Sequence, residues 1–147
     1  MTPGDKKRIA QHTGRRDFFT FVVADETYLD QPDDPMWAEL VFRPDGSRRV
    51  LKRQANGDCT FLGARGCTLA LETRPIVCRM YPFDYTESGL REELSHGCPT
   101  QLLPRGQGLL AALDMNREDA VGWHAMLYRE LAMERDDEDR SDLRPQK

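Results

Sequence analysis

The chain has 147 residues, 39% hydrophobic and 31% charged, with a formal net charge of −4. That is one domain's length, with room for a modest core, yet short enough for a bound metal to contribute much of the stability. The negative balance gives no general attraction to phosphate backbones or anionic lipid, no apolar run approaches bilayer length, and the N-terminal run Met1-Thr2-Pro3-Gly4-Asp5 lacks a signal peptide's apolar core. Neither nucleic acid nor a membrane is expected as a partner, and a cytoplasmic location follows as the default.

Thr2, Pro3 and Asp5 have the spacing of a helix cap, a first helical residue and a capping-box partner, and Gly14 is a stop. A helix this short, with Ile9 and Ala10 its apolar positions, cannot open a domain unaided. The expectation that follows is that the chain starts at an internal methionine, downstream of a cysteine-bearing segment. Phe18 to Val23 reads as a buried strand, and Gln31-Pro32-Asp33-Asp34-Pro35 as a loop. Trp37 to Arg43 alternates Ala38, Leu40 and Phe42 against Trp37, Glu39 and Val41, Pro44-Asp45-Gly46 is a turn, and Arg48 to Arg53 returns, which predicts a β-hairpin. Asn56-Gly57-Asp58 is a further turn that sets Cys59 at the head of a new segment.

Beyond Cys67, Leu69 to Leu71 predict a helical turn. Thr73 caps a helix that Pro82 must end, with Cys78 inside it. For Arg79 a salt bridge to Asp84, Glu87 or Glu92 is favoured over charge balance for a thiolate cluster or a substrate anion. Tyr81-Pro82-Phe83 reads as core packing rather than a stacking platform, and Glu87-Ser88-Gly89 as a hairpin tip. Leu109 to Leu113 predict a short helix, and Asn116 caps a longer one. On that helix Ala120, Val121, Trp123, Leu127, Tyr128 and Leu131 share a side, with His124 in its middle as a buried neutral histidine holding one hydrogen bond. From Glu134 the acidic run predicts a charged, disordered tail over 134–147, leaving 1–133 as the domain. There is no glycine-rich phosphate loop, no G-x-S-x-G elbow and no H-E-x-x-H.

All four cysteines, Cys59, Cys67, Cys78 and Cys98, fall within 40 residues, separated by seven, ten and nineteen others. These gaps exceed the short knuckles of zinc fingers, so folded segments must bring the sulfurs together. Gly66 and Gly97 precede two of them and allow the backbone to curl towards a shared centre. In a reducing compartment such clustering favours metal ligation, with two disulfides as the alternative. His96, two residues from Cys98, is a ligand, a donor to a thiolate, or an exposed loop residue; four thiols already fill a tetrahedral site.

This stretch resembles the YkgJ-type cysteine-cluster family, described as a zinc- or iron-chelating domain. The resemblance is carried by Cys59-Thr60-Phe61-Leu62, Gly66-Cys67, Arg74-Pro75, Cys78-Arg79, Tyr81-Pro82-Phe83 and Cys98-Pro99, and covers residues 50 to 100 firmly. The family's further, upstream cysteine cluster has no counterpart before Cys59. The resemblance implies metal ligands at Cys59, Cys67, Cys78 and Cys98, with zinc, iron or an iron–sulfur cluster as cofactor.

The expected fold is α+β, a small metal-stapled domain with a β-hairpin, short helices and one longer C-terminal helix. Three functions remain open: a zinc- or iron-binding module; a redox or methyltransferase-type enzyme with an iron–sulfur centre, from the family's similarity to flagellin lysine N-methylases; and a metal-free remnant of the family fold. Arg65, Arg74 and Arg79 can offset the negative charge of a thiolate cluster.

Overall fold

The computed structural model describes residues 1–26 and 34–142, with side chains as far as Asp137. The architecture is α+β. Among the described residues the order is α1 (Pro3–Thr13), β1 (Phe19–Val23), α2 (Pro35–Val41), β2 (Ser47–Leu51), β3 (Leu62–Gly63), β4 (Gly66–Cys67), α3 (Ile76–Met80), β5 (Phe83–Thr86), β6 (Gly89–Leu94), a 3-10 turn (Thr100–Leu102), α4 (Leu109–Ala112) and α5 (Arg117–Asp142). The strands form three antiparallel pairs, β1–β2, β3–β4 and β5–β6.

Helix α1 starts and stops on local chemistry. The Thr2 hydroxyl accepts from the Asp5 amide at 3.0 Å, the Asp5 carboxylate accepts from the Thr2 amide at 2.9 Å, and Gly14 closes the helix at φ 69°. The hairpin expected from Trp37 to Arg53 is not formed. Residues 35–41 are helical instead, because Pro35 occupies the first turn, the Asp34 carboxylate accepts from the Trp37 amide at 3.2 Å, and Met36, Ala38, Glu39 and Leu40 favour a helix. A short, largely apolar run such as this cannot be assigned to strand or helix by periodicity alone. The Pro44-Asp45-Gly46 turn does form, with Gly46 at φ 78° and the Asp45 carboxylate accepting from the Ser47 amide and hydroxyl. It feeds β2, whose partner is β1: Phe19 lies opposite Leu51, Phe21 opposite Arg49 and Val23 opposite Ser47. The expectation of a buried strand is corrected in the same place. Phe18 is fully buried, but β1 beyond it is largely exposed, with Val23 at 66%. The expected loop residues 27–33 lie outside the described residues.

Two apolar clusters make the core. Ile9, Phe18, Phe61 and Leu69 form one, and Ile76, Met80, Leu127 and Leu131 the other, with Leu40, Val41, Val77 and Trp123 packed against it. Burial of such side chains contributes roughly 1.5–3 kcal/mol each. Between the clusters runs a polar network. Asp5, itself fully buried, binds Arg8 at 2.7 Å; Arg8 also binds Glu130 at 2.7 Å, and the Thr2 hydroxyl donates to Glu130. Helix α1 is thereby tied to α5.

Helix α5 begins where Asn116 accepts from the Asp119 amide at 2.8 Å. Ala120, Leu127 and Leu131 are buried on it, whereas Val121, expected on the same side, is 53% exposed. His124 is half-buried and its Nε2 donates to the Thr86 carbonyl at 2.7 Å, which requires the proton on Nε2. The helix runs on to Asp142, through residues expected in the charged tail, and 143–147 lie outside the described residues. Glu134, at the start of that segment, is held by Arg49 at 2.7 Å. Anchored there, the helix-favouring Glu134, Arg135, Glu138 and Arg140 continue the ladder past the weaker Asp136, Asp137 and Asp139.

Candidate functional site

Each cysteine sits on a different local device. Cys59 follows a tight turn in which the Gln54 amide donates to the Asp58 carbonyl at 2.7 Å and Gly57 adopts φ 90°, and it forms a single bridge with Arg53. The Gln54 side chain pins the next bend by donating to the carbonyls of Cys59 and Leu62. Cys67 is in β4 opposite Leu62, just after Gly66 at φ 98°, a conformation that favours glycine. Cys78 is in the middle of α3.

That helix does not start at Thr73. Its cap position is Pro75, which has no capping side chain, and the amide of Ile76 instead donates to the Asp5 carboxylate at 3.0 Å, across 71 residues. Asp5 therefore seals α1 and α3 together. Nothing in the sequence signals this second duty, since the capping box already accounts for an aspartate at that position. Arg79 is buried and makes none of the expected pairs with Asp84, Glu87 or Glu92. Its guanidinium donates to the carbonyls of Arg74, at 2.9 Å, and Glu72, holding the turn that leads into α3. Burial lowers its pKa, and the charge of Arg8 adds to that.

The thiols divide into three and one. The Cys78 side chain is exposed and lines a cavity. Burial pushes its thiol up to about 11, with negative charge at Cys59, Cys67 and Asp5 adding to the shift. Cys59 and Cys67 are thus close enough for their charge to act on Cys78, and Cys59 and Cys78 line the same cavity. Cys98 is engaged elsewhere: its thiol donates to the Tyr81 hydroxyl at 3.2 Å. Gly97 serves that contact by size. It is absent from the positive-φ glycines, and a Cβ there would come within 2.9 Å of the Tyr81 hydroxyl oxygen. Of the aromatic run, Pro82 and Phe83 are core residues as expected, while Tyr81 is 43% exposed. His96 is exposed.

All four cysteines are free thiols. Their chemistry suits a soft ion, but among the described residues no group of three or more His, Cys, Asp or Glu side chains is arranged as a coordination site. No described helix is long and apolar enough to cross a membrane. Fold and site together define a small α+β protein in which two free thiols, Cys59 and Cys78, line an apolar cavity that also carries several arginines. Comparisons with protein-family models, curated proteins and solved structures returned no match.

Proposed function

We propose that this is a metal-binding cysteine-cluster protein, taking zinc or iron, in which Cys59, Cys67 and Cys78 supply the first three thiolates and Cys98 the fourth. The observation that carries the reading is that Cys59 and Cys78, arriving from a turn and from a helix, line one cavity, with the charge of Cys67 also reaching Cys78. Thiols from separate segments meeting at one place are what a folded thiolate site requires. The resemblance of residues 50 to 100 to the YkgJ-type family supports the same reading. A bound zinc or iron would add cross-links between the segments and thereby contribute stability. The residues themselves hold and orient: Asp5 seats the helix bearing Cys78, Gly66 at φ 98° shapes the turn before Cys67, and Tyr81 retains the Cys98 thiol.

Purification under aerobic and anaerobic conditions, with elemental analysis and a visible spectrum, tests the proposal. About one zinc per chain without colour, or iron with a thiolate-to-iron absorption band, is the expected result. Cys78→Ser should strip the metal and lower the melting temperature, while Cys98→Ser should weaken retention. Protein that carries no metal under either condition, or a Cys78→Ser variant with full metal content, refutes it.

A further inference from the structure

We propose that the cavity framed by β1–β2, α2 and α5 binds a small organic anion with an apolar body, of the medium-chain carboxylate class. The cavity holds about 540 Å³, within the roughly 300–1,000 Å³ range of small-molecule sites. Its apolar wall includes Phe21, Trp37, Leu40, Val41, Leu127 and Leu131. Around this wall stand five arginines, Arg43, Arg48, Arg49, Arg53 and Arg135, against a single carboxylate, Glu134.

That imbalance is the opposite of the chain as a whole, whose net charge is −4. Glu134 is already engaged by Arg49 at 2.7 Å, and Arg43, Arg53 and Arg135 have no carboxylate partner within 4 Å among the described residues. Two of the guanidinium groups converge on one ring: Arg43 lies 4.3 Å and Arg49 5.5 Å from the centroid of Phe21. Positive charge at the mouth of an apolar cavity attracts anions, and low-dielectric walls focus the field. Guanidinium matches a carboxylate with two parallel hydrogen bonds, and removal of an alkyl chain from water supplies the non-directional part of the affinity. A highly charged, compact anion would leave the apolar wall uncovered. An uncharged hydrocarbon would leave the arginines unused, so the two halves of the site select a ligand with both characters.

Cys59 and Cys78 line the same cavity, but this inference does not rest on the metal proposal, because the arginines and the apolar wall need no ion to be in place. Isothermal titration of the full chain with decanoate, decanol and decylamine, repeated after treatment with a chelator, tests it. Decanoate should bind saturably with or without metal, at least roughly tenfold more tightly than decanol, with decylamine weakest. Binding should change the emission of Trp37, and Trp37→Phe should remove that change while leaving the calorimetric affinity within a few-fold. Arg43 and Arg53 are exposed and Arg135 half-buried, so Arg43→Gln/Arg135→Gln should fold normally and weaken decanoate by roughly tenfold or more without altering decanol. The Arg43→Lys/Arg135→Lys variant should recover part of the loss. Equal binding of all three amphiphiles, no saturable binding of decanoate, or unchanged decanoate affinity in the glutamine double variant overturns the proposal.

Discussion

Replacing Asp5 by alanine tests the central structural argument, that one buried carboxylate seats both the first helix and the helix carrying Cys78. The carboxylate accepts three hydrogen bonds: from the Thr2 amide at 2.9 Å, the Ile76 amide at 3.0 Å and the Arg8 guanidinium at 2.7 Å. Alanine leaves two buried amides without an acceptor, each costing about 1–3 kcal/mol, while Arg8 keeps Glu130 as a partner and loses less. The expected destabilisation is therefore about 3–5 kcal/mol, comparable to breaking a buried ion pair and a large share of the roughly 5–15 kcal/mol that holds a domain together. Urea unfolding at neutral pH measures it, read as a fall in midpoint at unchanged slope. Asp5→Asn retains an acceptor oxygen of the same size and should lose roughly half as much. A second readout separates the two duties: loosening α3 should speed alkylation of Cys78 in metal-free protein, by more than it speeds alkylation of Cys67. A loss below about 1 kcal/mol, with Cys78 no more reactive than before, would show that water replaces the carboxylate at both helix ends and would sink the reasoning.

Four further outcomes follow from the same geometry. Burial would by itself raise the Glu130 carboxyl, but hydrogen bonds from Arg8 and Thr2 hold it below the usual carboxylate range. The stability it contributes is present above its unfolded pKa of about 4.3 and is lost as pH falls further. Urea midpoints followed from pH 6 to pH 3 (roughly the span in which carboxylates titrate) should drop in the wild type and drop less in Glu130→Gln. Gly4→Ala places a Cβ on the Glu130 carboxylate and should cost about 1–3 kcal/mol; in a Glu130→Ala background the cost should largely vanish, and a double-mutant cycle showing no coupling would contradict the packing. Alkylation of metal-free protein, followed by mass spectrometry, should find Cys78 slow at neutral pH and accelerating towards pH 11, where its thiol ionises. Tyr81→Phe removes the hydroxyl that accepts from Cys98, so Cys98 should react faster than in the wild type while the melting temperature moves little, Tyr81 being an exposed side chain.

What could be read from the residues alone was chemistry that acts within a few positions along the chain. Thr2, Pro3, Asp5 and Gly14 bound α1, Asn116 opens α5, and Glu87-Ser88 turns β5 into β6, because caps and turns are satisfied by neighbours three or four residues away. The confinement of every cysteine to residues 59–98 is likewise a property of the sequence. The pairing of β2 with β1, rather than with the segment at 37–43, was decided by the folded whole. Both partners offer the same backbone donors and acceptors, and the choice turns on Asp34 and Pro35 starting a helix that packs Leu40 and Val41 against the core of α3 and α5. The sharing of Asp5 between two helix ends, the diversion of Arg79 to backbone carbonyls and the attachment of Cys98 to Tyr81 belong to the same class. A hydrogen-bonding side chain in a sequence names what it can bind, and only the approach of distant segments, with the exclusion of water between them, determines which partner it gets.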